Sequence, residues 1–600
     1  MSDMGLYIDA SALNAQQIAM QTVSQDMANI NTPYYAQETP NMQTFQGSSF
    51  GNGGGVIVPS VSQVTNTIVT SSAITADGLL SQTQSLYQVL NQAQALFPEP
   101  NGGGLQSQLA HFWSSWDTVG NEPSNAGARQ ALITSAQQIA STISQTYNSL
   151  STIQSQTVSN LNTTINQANN MLDQVAQLNQ QIVITQASNG DANSLIDNRR
   201  QLLDKLSQSI GVTYRDNPDG AATVYLGGLT LVQDNQTLQQ APPVPIVPLT
   251  VTTTGSGATL SAQVEYTAAP GANVVALGGT SAGLVASLPK LGNYLNQLNN
   301  VATTLASEVN NQQASGYYWA GGAGSSPSAT GATSYSGNVD TSGNPLSIFV
   351  NSLNGTTAGL NASNIGVDTT VAANPFYLAA SNQGTQVSVE SSVPTPSSTV
   401  INASNDTVDV TVNGTAFSFT IPNGTYTNGN GAGSLANAVN TALGTALPSS
   451  LSGDLTVTQN PAGYLVIQGI GATNSIQLTG GIALSSIGLS VMPIAMTSSV
   501  QQNNGINAQQ MAELANNLSG ADPIYQNLVS QIGTDVSGAN TTMNAQQTTT
   551  QNADQIFQAL SGVSSDAETI AMQTYQNAYQ ATSKVLVSAQ AMLASLIAAT

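Results

Sequence analysis

Six carboxylates between residues 320 and 500 could do acid–base chemistry: Asp340, Asp368, Glu390, Asp406, Asp409 and Asp454. Two of them ~5–10 Å apart in a cleft would be the pair a secreted cell-wall glycosidase needs. No histidine joins them, and no recognisable catalytic motif surrounds them. The chain has one histidine, His111, and no cysteine. This excludes disulfides, thiolate metal sites, cysteine nucleophiles and multi-histidine metal sites together, and leaves no basis for a histidine triad. His111 reads as a satisfied histidine beside Phe112 and Trp113. Gly53-Gly54-Gly55 and Asn101-Gly102-Gly103-Gly104 are not phosphate loops, because no Gly-Lys-Ser/Thr follows them. Asp216 to Gly220 lacks calcium-loop ligand spacing and the closing glutamate. Asp554, Asp566 and Glu568 read as solvated or helix-capping groups. The expectation is a protein without catalysis, cofactor or metal.

Charge narrows the partners. Only 6% of the 600 residues are Asp, Glu, Lys or Arg, against roughly 25% in typical soluble proteins. Seven basic residues against 29 acidic ones leave a formal charge of −22. A phosphate track needs clustered Lys and Arg, so nucleic acid is excluded as a partner, and an anionic membrane surface would repel the chain. No apolar run approaches the ~20 residues of a membrane span, and the start lacks the n- and h-regions of a secretory signal peptide. Asn, Gln, Ser and Thr must do the polar work without charge. Such an acidic, lysine-poor composition suits low pH, where protonated carboxylates reduce self-repulsion.

The elements follow from periodicity. Ile8, Ala12, Ala15, Ala19, Val23, Met27 and Ile30 step by three or four, one stripe of an amphipathic helix that should stop at Asn31-Thr32-Pro33. At the other end Ala571, Tyr575, Ala578, Thr582, Val585, Ala589, Met592 and Leu596 form a second stripe, with Tyr579, Leu586 and Leu593 beside it at intervals of seven. A third run from Ile143 to Ile182 predicts a helix roughly 60 Å long. Shorter helical segments are expected around Leu195–Ile210, Leu284–Val309 and Ala508–Thr550. Val212 and Tyr214 then Val224 and Leu226 flank a turn-rich hairpin signal. Val408, Val410 and Val412, then Asn413-Gly414, then Phe417, Phe419 and Ile421 spell a hairpin with a type I′ turn. With a helix from Ser434 and strands near Leu455–Val457 and Tyr464–Ile467, residues 400–470 read β-β-α-β-β. The Gly/Ser/Thr-rich stretch 316–345 reads as a flexible lead-in to this region.

A helix with one apolar stripe cannot close a core around itself. Ordering a residue costs roughly 1.5 kcal/mol, and burying a Leu, Met or Val contributes only about 1.5–3 kcal/mol. Both terminal stripes therefore need partners: each other and neighbouring subunits, or the chain's own body.

The residues also carry a resemblance. Ser11-Ala12-Leu13-Asn14-Ala15 and Ala28-Asn29-Ile30-Asn31-Thr32-Pro33 with Tyr35 resemble the N-terminal signature of flagellar rod, hook and hook-associated proteins. Tyr575-Gln576-Asn577-Ala578-Tyr579-Gln580-Ala581, Lys584-Val585-Leu586 and Met592-Leu593 resemble the C-terminal one. Asn198 to Ser207, Gly211-Val212, Val224 to Gly228, Leu231-Val232 and Leu295 to Asn311 with Gly316-Tyr317 are similar to the central region of the hook–filament junction branch. The signature residues are Asn29, Asn31, Thr32, Pro33 and Tyr35. The sequence departs from the family after Pro33, where Gly-Tyr-Ser-Arg is usual and Tyr34, Tyr35, Ala36 and Gln37 stand here. Tyrosine resists the positive φ that glycine permits, so that turn is expected to differ.

The resemblance implies a structural, non-enzymatic part of the bacterial flagellum at the hook–filament junction, required for filament assembly. It implies export through the flagellum's own type III channel without a cleaved signal peptide. The partners it implies are hook protein, a second junction protein, further copies of the chain in a ring, and an export chaperone at the C-terminus. The terminal helices would fold on assembly through Ile8, Ala12, Ala15, Ala19, Val23, Met27, Ile30, Tyr575, Ala578, Val585, Leu586, Met592, Leu593 and Leu596. Another axial protein, flagellin or the second junction protein, is the alternative within the class. The expected fold is α+β and multidomain, with long coiled-coil-like terminal and central helices and β-rich middle and inserted domains. Its divisions are an N-terminal axial helix (1–45), a linker (46–84), a helical domain in two parts (85–211 and 284–315), a β-rich domain (212–283), a β-rich variable insertion (316–500), a helical return (501–558) and a C-terminal axial helix (559–600).

Overall fold

A computed structural model describes residues 2–44, 54–99, 103–234, 236–237, 249–266, 277–319, 335–337, 346–382, 388–451, 455–469, 475–490 and 504–598. The chain is α+β. Helix α1 (Ser2–Asn29) is followed by strands β1 (Glu38–Thr44) and β2 (Val56–Gln63), which form an antiparallel pair with a register shift between Asn41 and Gln43. Helices α2 (Thr67–Gln94), α3 (Leu105–Asn121), α4 (Ala126–Ala187) and α5 (Asn193–Ile210) follow. α1 ends where the Asn31-Thr32-Pro33 signal puts it. α4 exceeds expectation as one unbroken helix of 62 residues.

The stretch 46–84, expected as a linker, holds β2 and most of α2. Pairing with β1 makes β2 a strand, and the Asn66 side chain, which accepts from the amides of Ile68 and Val69, starts α2. Gly51 and Gly53 lie outside the described residues, as do Asn101 and Gly102.

Strands β3 (Thr213–Asp216), β4 (Ala222–Leu226), β5 (Leu229–Gln233) and β6 (Gln236–Thr237) make an antiparallel meander, and β7 (Leu249–Thr254) pairs with β8 (Ser261–Tyr266). α5 stops at Gly211, whose φ of +76° and close approach to Gly278 admit no side chain. Helix α6 (Gly279–Ser315) precedes β9 (Tyr317–Trp319), β10 (Tyr335–Gly337), β11 (Phe349–Asn351), β12 (Ile365–Val367) and α7 (Thr369–Ala373). Most of the lead-in at 316–345 lies outside the described residues.

Next come β13 (Ser388–Glu390), β14 (Ser398–Ile401), β15 (Thr407–Val412), β16 (Thr415–Thr420), β17 (Gly424–Thr427), α8 (Leu435–Ala446), β18 (Leu455–Gln459), β19 (Leu465–Gly469) and β20 (Ile476–Gly480). The β15–β16 hairpin turns on Asn413 and Gly414, both at positive φ as a type I′ turn requires. Val408, Val410, Val412 and Phe419 close a core with Val439 and Leu443 of α8 and Leu465 and Ile467 of β19. The chain closes with α9 (Ile506–Glu513), α10 (Ala521–Ser561) and α11 (Ser565–Ala598).

Two compact units result, one of residues 1–96, 150–295 and 530–600, the other of 97–149 and 296–529. Within each, buried side-chain amides do work that charged groups do elsewhere. Asn179 of α4 donates to the carbonyls of Ala222 and Asp234 and accepts from the Ala222 amide, at 2.6–2.9 Å. Asn169 exchanges two bonds with Leu249 in the same way. In the second unit Asn310 bonds Ile348 and Phe349, and Gln313 bonds Tyr377 and Ala379. An amide both donates and accepts, so it satisfies strand or loop backbone against a helix without burying a charge.

Candidate assembly interface

α1 and α11 pack against each other in the first unit. Gln17 of α1 meets Tyr579 (3.5 Å), and Gln37, beyond the end of α1, donates to Glu568 at the start of α11 (2.6 Å), so the helices run antiparallel. The other side of α1 is covered by β1 and β2, where Val56 N–H donates to Ser11 Oγ (3.2 Å). Gly55, at φ +103°, lies so close to Ser11 that a Cβ would stand 2.1 Å from its Oγ.

These contacts sort the expected interface residues. Ala15, Ala19 and Val23 are buried, Ile8, Ala12 and Ile30 are half-buried, and Met27 is exposed. On α11, Tyr575, Ala578, Leu586 and Leu593 are half-buried, whereas Val585 (53%) and Met592 (67%) are exposed. The side chain of Leu596 lies outside the described residues. The column Tyr579, Leu586, Leu593 thus faces α1, and the column Val585, Met592 faces away. One residue rotates a helix by about 100°, and two adjacent apolar columns look alike in sequence. Among the described residues of α11 only Glu568 is buried, and Ile570 and Val587 add to the uncovered apolar surface.

The signature segment forms the corner after α1. Thr32 donates its amide to the Asn29 carbonyl (2.8 Å) and its hydroxyl to the Asn29 side chain (3.1 Å), while Asn31 and Pro33 are exposed. Tyr34 takes φ +57° in place of the family's glycine. The side chain anchors this left-handed residue: the Tyr34 ring packs 5.3 Å from that of Phe557, and its hydroxyl donates to Asp77. Tyr35 donates to Asp26 (2.7 Å), which also accepts from the Glu38 amide (3.1 and 3.2 Å).

Sequence reasoning missed the acidic groups that meet here. Asp26, Glu38, Asp197 and Asp204 are buried. Burial raises Asp26 and Asp197 to about 6 and Glu38 to about 7. Burial and neighbouring Asp77 raise Asp204 as well, and burial raises Asp554, helped by Asp77. Arg200 pairs with Asp197 at 2.7 Å and with Gln63 at 2.9 Å. One signal was available: Asp26 lies on the stripe of Ala15, Ala19 and Val23, where a charge should not be. Of the carboxylates expected to be solvated or capping, Asp554 and Asp566 are exposed, the latter in the first turn of α11, but Glu568 is buried against Gln37.

Other candidates fall elsewhere. His111 is exposed, while Phe112 and Trp113 are buried, because the apolar face of α3 turns away from it. It borders an open pocket of about 390 Å³ with Ser107, Gln108 and Gln138. Asp368 caps α7, Glu390 accepts from Asn460, and Asp409 accepts from Ser418. Asp340 and Asp454 lie outside the described residues. Asp216, in the rejected calcium loop, pairs with buried Arg199 at 2.9 Å. Among the described residues no group of three or more His, Cys, Asp or Glu is placed to hold a metal, and no helix is long and apolar enough to cross a membrane.

Residues 90–326 match the family model of the flagellar hook-associated protein FlgK helical domain. Flagellar hook-associated protein 1 of Bacillus subtilis strain 168 is 27% identical over 227 residues, 36% of this chain and 45% of that protein. Its counterpart in Salmonella typhimurium is 28% identical over 238 residues, 38% of this chain and 43% of that protein. The chain thus spans somewhat less than half the length of these relatives. The flagellar hook junction protein FlgK from Burkholderia pseudomallei superposes with a TM-score of 0.48 at 19% identity, over 82% of this chain and 100% of that one.

Proposed function

We propose that this protein is a structural component of the bacterial flagellum at the hook–filament junction, required for filament assembly. The observation that carries the reading is the helical-domain match over residues 90–326, flanked by terminal helices whose outer apolar column is uncovered. α1 and α11 cover one face of each other, and Val585, Val587, Met592 and Ile570 remain in water. Burying that column between subunits would drive polymerisation, opposed by the entropy of ordering.

In this reading the subunits form a ring on the hook and present a surface to the second junction protein. The terminal helices firm up only there, and a chaperone covers α11 before export through the flagellar channel. The segment 316–500 forms an outward variable insertion, and the domain divisions follow the sequence boundaries, with 46–84 structured. No catalysis is part of this role. Deleting the gene tests it: hooks without filaments and flagellin shed into the medium are expected, and normal filaments would refute the assignment.

A further inference from the structure

We propose that the corner formed by residues 30–38 is a proton-held latch, closed when the carboxylates around it are protonated and loosened when they ionise, so that pH sets how firmly α1 and α11 are held. The inference stands on the first unit alone and does not depend on the function proposed above.

Beyond its backbone bonds and the Tyr34–Phe557 contact, the corner is tied to the surrounding helices through carboxyl groups. On one side Asp26 of α1 binds Tyr35 and the Glu38 amide, Asp197 of α5 binds Gln63 and Arg200, and Glu568 of α11 binds Gln37. On the other, Tyr34 binds Asp77 of α2, Asp77 and Asp554 of α10 both raise the proton affinity of Asp204 of α5, and Asp77 raises that of Asp554. The titratable groups facing the corner are Asp26, Tyr34, Tyr35, Glu38, Asp77, Asp191, Asp197, Asp204, Asp554 and Glu568, and among the described residues the cation paired with them is Arg200, on Asp197.

One cation cannot neutralise so many acids. Three carboxyl oxygens, Glu38 Oε1, Asp197 Oδ2 and Asp204 Oδ1, are buried without a hydrogen-bond partner. A buried unpartnered oxygen is tolerable on a neutral carboxyl and costly on an anion. Asp26, Glu38 and Asp197 accordingly titrate at about 6 to 7. Ionisation then places several like charges against one strained turn, where Tyr34 holds φ +57° with its ring against Phe557 and its hydroxyl on Asp77.

The test is hydrogen exchange of the full chain at about pH 5 and about pH 8, corrected for the intrinsic pH dependence of exchange. Each proton linked to opening changes protection by about tenfold per pH unit. Protection of residues 26–38 and 565–575 is expected to fall at least tenfold toward the higher pH, with the Val408–Ile467 core unchanged. Glu38→Gln combined with Asp204→Asn should flatten this dependence, whereas Asp117→Asn, exposed on α3, should leave it intact. The wild-type comparison needs no variant to fold. Equal protection at both pH values, or a loss spread evenly over the whole chain, would overturn the latch.

Discussion

The hydroxyl of Tyr35 donates to Asp26 at 2.7 Å, with both side chains buried, and so ties the corner after α1 back onto the helix that precedes it. The bond lowers the proton affinity that burial of Asp26 otherwise raises. Tyr35→Phe should destabilise the chain by about 1–2 kcal/mol and move the Asp26 titration upward. Urea unfolding and carboxyl chemical shifts read the two effects, and a variant as stable as wild type would remove Tyr35 from the set of anchors.

Tyr34→Gly opposes two effects. Glycine relieves about 1–2 kcal/mol of left-handed strain. Loss of a buried ring costs about 3–5 kcal/mol by analogy with Phe→Ala. The variant should therefore be less stable by about 2 kcal/mol, and a gain in stability would mean that strain outweighs packing at this turn.

Asn179→Leu should cost more than an ordinary surface change. It strands the Ala222 amide and carbonyl, the Asp234 carbonyl and one donor of Arg199. Each unsatisfied buried group costs about 1–3 kcal/mol, so a loss of about 3 kcal/mol or more is expected in denaturant unfolding. A loss under about 1 kcal/mol would show that water replaces the amide.

Val585→Asp and Leu586→Asp should separate two kinds of contact one residue apart. Val585 faces outward, so the monomer should change by no more than about 0.5 kcal/mol while incorporation into the proposed junction ring stops. Leu586→Asp should in addition raise exchange along α1. Equal effects on the isolated chain would contradict the sorting of the two columns.

Stability should fall as pH rises. Asp26, Glu38 and Asp197 have folded values raised to about 6, 7 and 6 over ordinary values of 3.8 to 4.5. The folded state therefore binds more protons between about pH 4 and pH 7, and the stability that gives is lost on going up through that window. Asp535, held low by Lys290 and Tyr294 against its own burial, works the other way, below about pH 4. The thermal midpoint should be higher at pH 5 than at pH 8; the reverse order would mean that these carboxylates are ionised when folded.

Local signals were legible in the residues. The stop after Asn29, the Asn413-Gly414 hairpin and the long amphipathic runs follow from backbone sterics and periodicity, which neighbours in the chain fix. The strand at Val56–Gln63 was not legible, because its partner Glu38–Thr44 carries Pro40 and few β-formers, and only pairing makes either a strand. The phase of α11 was illegible for a related reason: Val585 and Leu586 are both apolar, and which one is covered depends on where α1 lies.

What this sequence determines alone is its inventory: no cysteine, one histidine, scarce charge, and helices whose stripes demand partners. What only the tertiary structure decides is which acids share a neighbourhood. Asp26, Asp197, Asp204 and Asp554 come from separate parts of the chain, and their raised proton affinities depend on burial and, for Asp26, Asp204 and Asp554, on neighbouring carboxylates, which exist only once distant segments are brought together.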